Sequence, residues 1–487
     1  MPLGVDNLDG EQLRQAAKLL ERENERLIRQ VLELKQQLAT AEGKGSEQLE
    51  LLAELERQLA NRNRKLFGDS SEKRASSKPE HEARPQAGHG PREQPKLAVI
   101  EREHVLDEAD HVCPSCGGRL TEMTGQSEDA EEVDVLERQF VLVRHKRKKY
   151  RCSCGGCVES ALGPEKLIPG GRYSIDFAVS VAVAKYTDHL PLERQVRVMK
   201  RQGLIVDSQT LWDQINALAR HLQPAHEAIR AHVLAQPCIG ADETFWRLME
   251  GNADNKRWQT WAVVAPHAVS YRILDSRSAA AAADVLGDYA GMLLCDGYSA
   301  YESLKKRGGK FEIAHCWAHV RRKFVEAEEF APAAAREALD LIGELYAVEA
   351  DCSTEDDRAR IRAHRSRDIV RRIQDWALKQ EGLPRSPLRK AIAYMAELWP
   401  GLLRFLDDPR LPLDNNSTER ALRGVVLGRK NHYGSRSERG TEVAALFYSL
   451  IESAKLAGVE PDAYLRTAAR HAIRAERIPL PHELAAS

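Results

Sequence analysis

Cys238-Ile-Gly-Ala-Asp-Glu-Thr-Phe-Trp-Arg-Leu248 is a run of alternating or apolar residues that contains a carboxylate pair, and two similar runs follow it, Arg257 to Ala265 and Val269 to Asp275. Alternation of this kind marks half-buried strands, and the polar turns between the runs make consecutive strands antiparallel neighbours. A helix-like stretch, Ser278 to Tyr289, then leads into a short apolar strand, Met292-Leu-Leu-Cys-Asp296.

Three strands in a meander, a helix and a further strand form the opening of a ribonuclease H-like fold. In that fold the first and fourth strands are neighbours, which predicts that Asp242 and Asp296 face one another. Alone, each aspartate reads as a turn residue; placed on these two strands, they read as catalytic. A third carboxylate, Glu419 in Asp414-Asn-Asn-Ser-Thr-Glu-Arg420, sits at a helix start where Ser417 is expected to be the cap. Carboxylates converging on a pair of hard cations are what two-metal phosphoryl transfer requires. Asp242, Asp296 and Glu419 are therefore the expected Mg²⁺ or Mn²⁺ ligands, with Asp414 and Glu243 as substitutes for Glu419. The long interval from Asp296 to Glu419 exceeds what such a core needs. Its Ala-, Leu-, Arg- and Glu-rich texture predicts an all-helical insertion over 326–410, dividing the core into 236–325 and 411–460, with a tail at 461–487.

The whole chain has 487 residues, 43% of them hydrophobic, and its 72 Lys and Arg balance 73 Asp and Glu. That length predicts several domains. The charge balance means that any electrostatic footprint for nucleic acid is local. No run is long and apolar enough to span a bilayer, and the start lacks a basic region followed by an apolar one. The expectation is a soluble, cytoplasmic protein with no membrane partner.

Leu13, Leu20, Leu27 and Leu34 recur every seven residues, with Ala17, Asn24, Val31 and Leu38 at the other seam position. This predicts a coiled coil over 8–66 that associates two or more copies, Asn24 fixing register; a helical hairpin within one chain is the alternative. Residues 67–100 are too poor in apolar side chains to fold and read as a linker. Cys113-Pro-Ser-Cys116 and the group Cys152, Cys154 and Cys157 predict a zinc module over 101–165. Spacing favours Cys154 and Cys157 with Cys113 and Cys116, while the position after Tyr150 favours Cys152. Between the cysteine groups lies Arg144-His-Lys-Arg-Lys-Lys-Tyr-Arg151, whose Arg144, Lys146, Arg147, Lys148 and Lys149 are candidate phosphate contacts or simply a solvated face. Residues 171–235 predict short helices resembling a helix-turn-helix, with Ser174, Pro191 and Asp207 at helix starts.

Two basic groups flank the carboxylates. Arg321, Arg322 and Lys323 follow His315 and His319, while Arg420, Arg423, Arg429 and Lys430 follow Glu419 and lead to His432, Arg436 and Arg439. A phosphate backbone entering a carboxylate-rich site needs such cations to offset repulsion. His315, Cys316 and His319 could alternatively form a further metal site.

The chain resembles the IS66 family of transposases, a branch of the DDE transposases. The resemblance rests on Ala241-Asp-Glu-Thr244, Asp296-Gly-Tyr298, His315-Cys-Trp-Ala-His-Val-Arg-Arg-Lys-Phe324 and Asp414-Asn-Asn-Ser-Thr-Glu-Arg-Ala-Leu-Arg423. It extends to the leucine-rich start, Lys65-Leu-Phe-Gly68, the cysteine module and Asn431-His-Tyr-Gly434. It implies metal-dependent cleavage at insertion-sequence ends and strand transfer into target DNA, in a bacterial, nucleoid-associated setting, with Asp242, Asp296 and Glu419 matching the family's metal-binding triad. It also leaves room for small co-encoded accessory proteins. An extra cysteine departs from the pattern and leaves the fourth zinc ligand open. An inactive or domesticated protein that pairs DNA ends, and a structure-specific nuclease of the same fold, are the competing readings.

Overall fold

A computed structural model describes residues 115–119, 140–151, 158–249, 257–380 and 386–485 of the chain. The expected coiled coil, the linker and the four cysteines Cys113, Cys152, Cys154 and Cys157 lie outside the described residues. The chain divides into two units, Met1–Arg138 and Gln139–Ser487. In the first, Ser115 and Cys116 form a turn that Gly117 continues at φ 72°, a left-handed conformation that favours glycine, and Cys116 is exposed.

The second unit begins with an antiparallel ribbon of β1 (Lys149–Arg151) and β2 (Val158–Ser160). Three helices follow. In α1 (Ile175–Tyr186) the Ser174 side chain accepts from Phe177 N–H, and α2 (Leu192–Arg201) starts after Pro191. In α3 (Ser208–Leu234) Asp207 accepts from Thr210 N–H. These polar side chains satisfy amide donors that a helix start leaves unpaired.

A five-stranded sheet follows, in the spatial order β5-β4-β3-β6-β7. β3 (Cys238–Arg247), β4 (Arg257–Ala265) and β5 (Ala268–Leu274) form an antiparallel meander. The chain then crosses through α4 (Ala279–Leu286) to β6 (Met292–Cys295), parallel to β3, and through α5 (Ser299–Lys306) to β7 (Glu312–His315), parallel to β6. The predicted helix over Ser278 to Tyr289 stops at Leu286, because Gly287 turns the chain at φ 54°.

Beyond the sheet come α6 (Trp317–Glu328), α7 (Pro332–Ala350), α8 (Glu355–Ile361), α9 (Arg367–Lys379) and α10 (Pro387–Leu403). The chain returns through α11 (Asn416–His432), α12 (Glu438–Leu456), α13 (Pro461–Ile473) and α14 (Pro481–Ala485).

Two apolar cores result, and the alternation along β6 and β7 shows how they separate. Leu293, Cys295 and Ile313 join the core that includes α1, α3, α12 and α13, whereas Leu294 and Ala314 join the core of α6, α7, α9 and α10. α12 lies on β5, where Ser449 and Ser453 accept the Tyr271 and Val269 amides at 2.8 and 2.9 Å.

Three features of this packing bear on the expected boundaries. The helices of 171–235 share one core with the sheet, because the apolar face of α3 is buried there through Leu211, Leu218, Leu222 and Ile229. The helical core begins earlier than residue 326, since Trp317, Val320 and Phe324 already belong to it. The expected C-terminal tail, 461–487, carries α13 and α14, and its Tyr464, Leu465 and Ala468 are fully buried in the main core. No helix among the described residues is long and apolar enough to cross a membrane.

Candidate active site

The register of the parallel pair β3 and β6 sets Gly240 opposite Leu294. Asp242 stands two residues beyond that pairing, in the middle of β3, and Asp296 two residues beyond it, directly after β6, so both lie just past the end of the β3–β6 pairing. Period-two alternation gives Gly240, Asp242 and Thr244 one face of β3 and Ala241 and Glu243 the other. α11 packs on the Gly240 face: a Cβ at residue 240 would overlap Thr418 Oγ1 and stand 2.6 Å from Asn415 Oδ1. Only glycine permits this approach.

Asn415 joins three elements. Its Nδ2 donates to Ala241 O at 3.1 Å, its backbone N–H meets Cys316 Sγ at 3.2 Å, and its Oδ1 accepts from Thr418 Oγ1 at 2.5 Å. Asn415 and Thr418 are both buried. They fix the first turn of α11 against the residue that precedes Asp242, and Glu419 follows Thr418 directly. The expected Ser417 cap is not the device used. The helix begins at Asn416, where Asp414 accepts the Asn416 backbone and side-chain amides at 3.0 and 2.7 Å, and Ser417 is exposed.

Charge couples Asp242 to the other carboxylates. Burial pushes the Asp242 carboxyl up to about 7; the Glu243 amide opposes this by donating to Oδ1 at 2.8 Å, and the charges of Glu243, Asp296 and Glu419 add to the rise. Asp296 Oδ1 accepts from Tyr298 N–H at 2.9 Å. Glu419 Oε1 is buried without a hydrogen bond, although His319 Nε2 and Arg322 approach it at 3.5 and 3.6 Å. Both distances exceed a normal hydrogen bond, and the Arg322 guanidinium acts on Glu419 through its charge. Of the two substitutes for Glu419, Asp414 is engaged by Asn416, and Glu243 faces the other side of β3, bound to Arg277 and Tyr301.

The candidate DNA-contacting cations divide by environment. On α11, Arg420, Arg423 and Lys430 are exposed along one stripe that leads away from Glu419. Arg429 instead turns inward, donating to Phe245 O and reaching Thr244 Oγ1 at 3.4 Å, so it braces β3. Arg322 faces Glu419, Lys323 pairs with Glu326 at 3.4 Å, and Arg321 is half-buried. Before β1, Arg144, Lys146 and Lys148 are exposed, as is Lys149 within it, while Arg147 Nε donates to Ala161 O at 2.5 Å. Burial lowers both His315 and His432, His432 to about 3, so His432 is not a cation at neutral pH. Cys316 is engaged by Asn415 and its thiol is pushed up by burial to about 11, which argues against the alternative metal site with His315 and His319.

Asn415, Thr418 and Gly240 had been given no role from sequence; their one visible signal is membership of the Asp414-Asn-Asn-Ser-Thr-Glu motif and of the strand before Asp242. Among the described residues, no three His, Cys, Asp or Glu side chains form a closed group around one ion. The donor chemistry nevertheless fits a hard divalent cation. All three candidate ligands offer carboxylate oxygens, one of them buried without a hydrogen bond, and a cation would relieve the repulsion that raises Asp242.

Comparison with known proteins adds two family matches. Residues 170–443 match the family described as "Transposase IS66 family", and residues 110–155 match the "zinc-finger binding domain of transposase IS66". The second match includes Cys113, Cys116, Cys152 and Cys154 and ends before Cys157. Among curated proteins, "Uncharacterized protein y4jD" of Sinorhizobium fredii is 32% identical over 399 residues, covering 78% of this chain and 77% of the relative. "Uncharacterized protein y4qI" of the same organism is 31% identical over 408 residues, covering 80% of this chain and 74% of the relative. No solved structure matches the chain.

Proposed function

Because the chain belongs to the IS66 transposase family, a family of nucleic-acid-processing proteins with a zinc-finger domain, we propose that it cleaves DNA at insertion-sequence ends and transfers the freed 3′ strand into target DNA. The observation that carries this reading is the electrostatic coupling of Asp242 to Asp296 and Glu419: burial first, and then their charges with that of Glu243, raise the Asp242 carboxyl to about 7. The sheet order β5-β4-β3-β6-β7, with its antiparallel meander and two parallel crossovers, supports a ribonuclease H-like core around them.

Asp242, Asp296 and Glu419 would hold divalent cations, Mg²⁺ or Mn²⁺. Such ions supply Lewis acidity for activating an attacking oxygen and for stabilising a leaving 3′ oxygen. The protein's own part is positional. Asn415, Thr418 and Gly240 hold the Glu419 turn against β3, so the third carboxylate approaches the first two without strand and helix drifting apart. Arg322 balances Glu419 from α6, with His319 Nε2 beside it at 3.5 Å. Arg420, Arg423 and Lys430 offer a stripe of exposed cations for the phosphate backbone. Cys113 and Cys116 with two of Cys152, Cys154 and Cys157 would bind zinc, and the N-terminal heptads would bring two or more copies together on paired DNA ends.

The test is a cleavage and joining assay on labelled DNA carrying the ends of the encoding element. Metal-dependent 3′ nicks and joined products are expected. Binding of those ends without either product, with Mg²⁺ and Mn²⁺ each supplied, would favour the end-pairing protein; nicks on branched DNA without joining would favour the nuclease.

A further inference from the structure

Arg277 lies in the turn between β5 and α4, outside every group assigned above to DNA. Its Nε and one terminal nitrogen both donate to Glu243 Oε1, at 2.7 and 2.5 Å, while Tyr301 donates to Oε2 at 3.2 Å. The Glu243 side chain is 1% exposed, yet Arg277 remains 49% exposed. The guanidinium carbon stands 3.9 Å from the centre of the Tyr298 ring, and the Tyr298 hydroxyl donates to Arg277 O at 2.5 Å. Tyr298 is also the residue whose amide binds Asp296.

Stability alone does not account for this arrangement. Burying a carboxylate carries a desolvation penalty, and a half-exposed partner returns little of it. What the arrangement does accomplish is fixation: one edge of the guanidinium is bound to Glu243 and one face is stacked on Tyr298, which leaves the NH1 edge as a preordered donor. Asp296 lies near enough for its charge to act on Arg277. A fixed guanidinium fork suits a phosphate oxygen, and immobilising it in advance removes an ordering cost on binding.

We infer that Arg277 is a preorganised contact for a DNA phosphate on the Asp296 side of the site, with Glu243 and Tyr298 as its positioning residues. The backbone is then gripped on both flanks of the carboxylates, by the α11 stripe on one and by Arg277 on the other. This inference rests on the DNA-processing reading above.

The test is equilibrium binding of the full-length protein to duplex carrying the element ends, measured across a salt series. Each neutralised phosphate contributes about 0.9 to the slope of log affinity against log salt, which at about 0.1 M salt is roughly an eight-fold effect. Arg277→Gln should flatten the slope by about one and weaken binding roughly eight-fold, while Arg277→Lys should keep the slope. Because Arg277→Gln leaves a buried carboxylate uncompensated, the double variant Glu243→Gln/Arg277→Gln is measured beside it and should show the same flattened slope. A wild-type slope in the double variant would mean that Arg277 only neutralises Glu243, and the inference would be overturned with the DNA reading intact. Absence of salt-dependent DNA binding by the wild type would overturn both.

Discussion

Asp242→Asn removes the charge that the site holds least comfortably, and the structure gives the sign and size of the result. The Asp242 carboxyl is raised from 3.8 to about 7, chiefly by burial. The folded protein therefore holds this proton more tightly than the unfolded chain, so the contribution of Asp242 to stability falls as pH rises from about 4 to about 7 and levels off above that window. The shift amounts to roughly 4 kcal/mol above pH 7, and the part that develops between pH 5 and pH 8 is about 2–3 kcal/mol. Asparagine has nothing to ionise. Urea unfolding in EDTA should show the variant gaining on the wild type by that amount between pH 5 and pH 8, with any pH-independent effect of the substitution cancelling in the difference. Mg²⁺ should shrink the variant's advantage. A cation that binds only the folded state at a hundred times its dissociation constant adds about 2.7 kcal/mol, and the variant lacks a ligand for it. A stability difference between variant and wild type that does not change with pH would refute the reasoning, because Asp242 would then not be strained by burial and like charge.

Other consequences follow from particular contacts. Gly240→Ala forces a Cβ into Thr418 and Asn415, and overpacking of this kind should cost about 1–3 kcal/mol in denaturant unfolding and lower DNA cleavage by displacing Glu419. Metal analysis should find one zinc per chain, lost in Cys113→Ser; separate Ser variants of Cys152, Cys154 and Cys157 identify which two complete the site. Deletion of residues 1–66 should lower the mass measured by light scattering to that of a single chain, whereas an unchanged mass would favour the helical hairpin within one chain.

The strands around the site are legible in the sequence because their apolar alternation is local. Cys238 to Leu248, Arg257 to Ala265 and Val269 to Asp275 lie within a residue or so of the observed β3, β4 and β5. The helix starts at Ser174, Pro191, Asp207 and Ser278 are local signals as well. What sequence cannot display is a contact between distant segments. The Asn415 bond to Ala241 spans 174 residues, and Asn415 is a helix-start residue whose side chain ties a strand to its own helix through Thr418. Ser417 likewise has the sequence pattern of a cap, yet Asp414 accepts the amide at the helix start. Arg429 and Arg420 look alike in a basic run, yet helical geometry turns one toward β3 and leaves the other exposed. The helices of 171–235 carry the pattern of an independent bundle because an amphipathic face does not disclose which surface covers it; here the same core includes the sheet.

The central claim is that Asp242, Asp296 and Glu419 act together as the ligands of the DNA-cutting metal centre. It is tested most directly by 3′ nicking and joining on end-containing DNA with Mg²⁺ or Mn²⁺, comparing the wild type with Asp242→Ala, Asp296→Ala, Glu419→Ala and Asp414→Asn, each confirmed to be folded and to bind DNA. Loss of both products in the three alanine variants, with joining retained in Asp414→Asn, is the predicted result. Activity surviving Glu419→Ala, or lost only in Asp414→Asn, would contradict it.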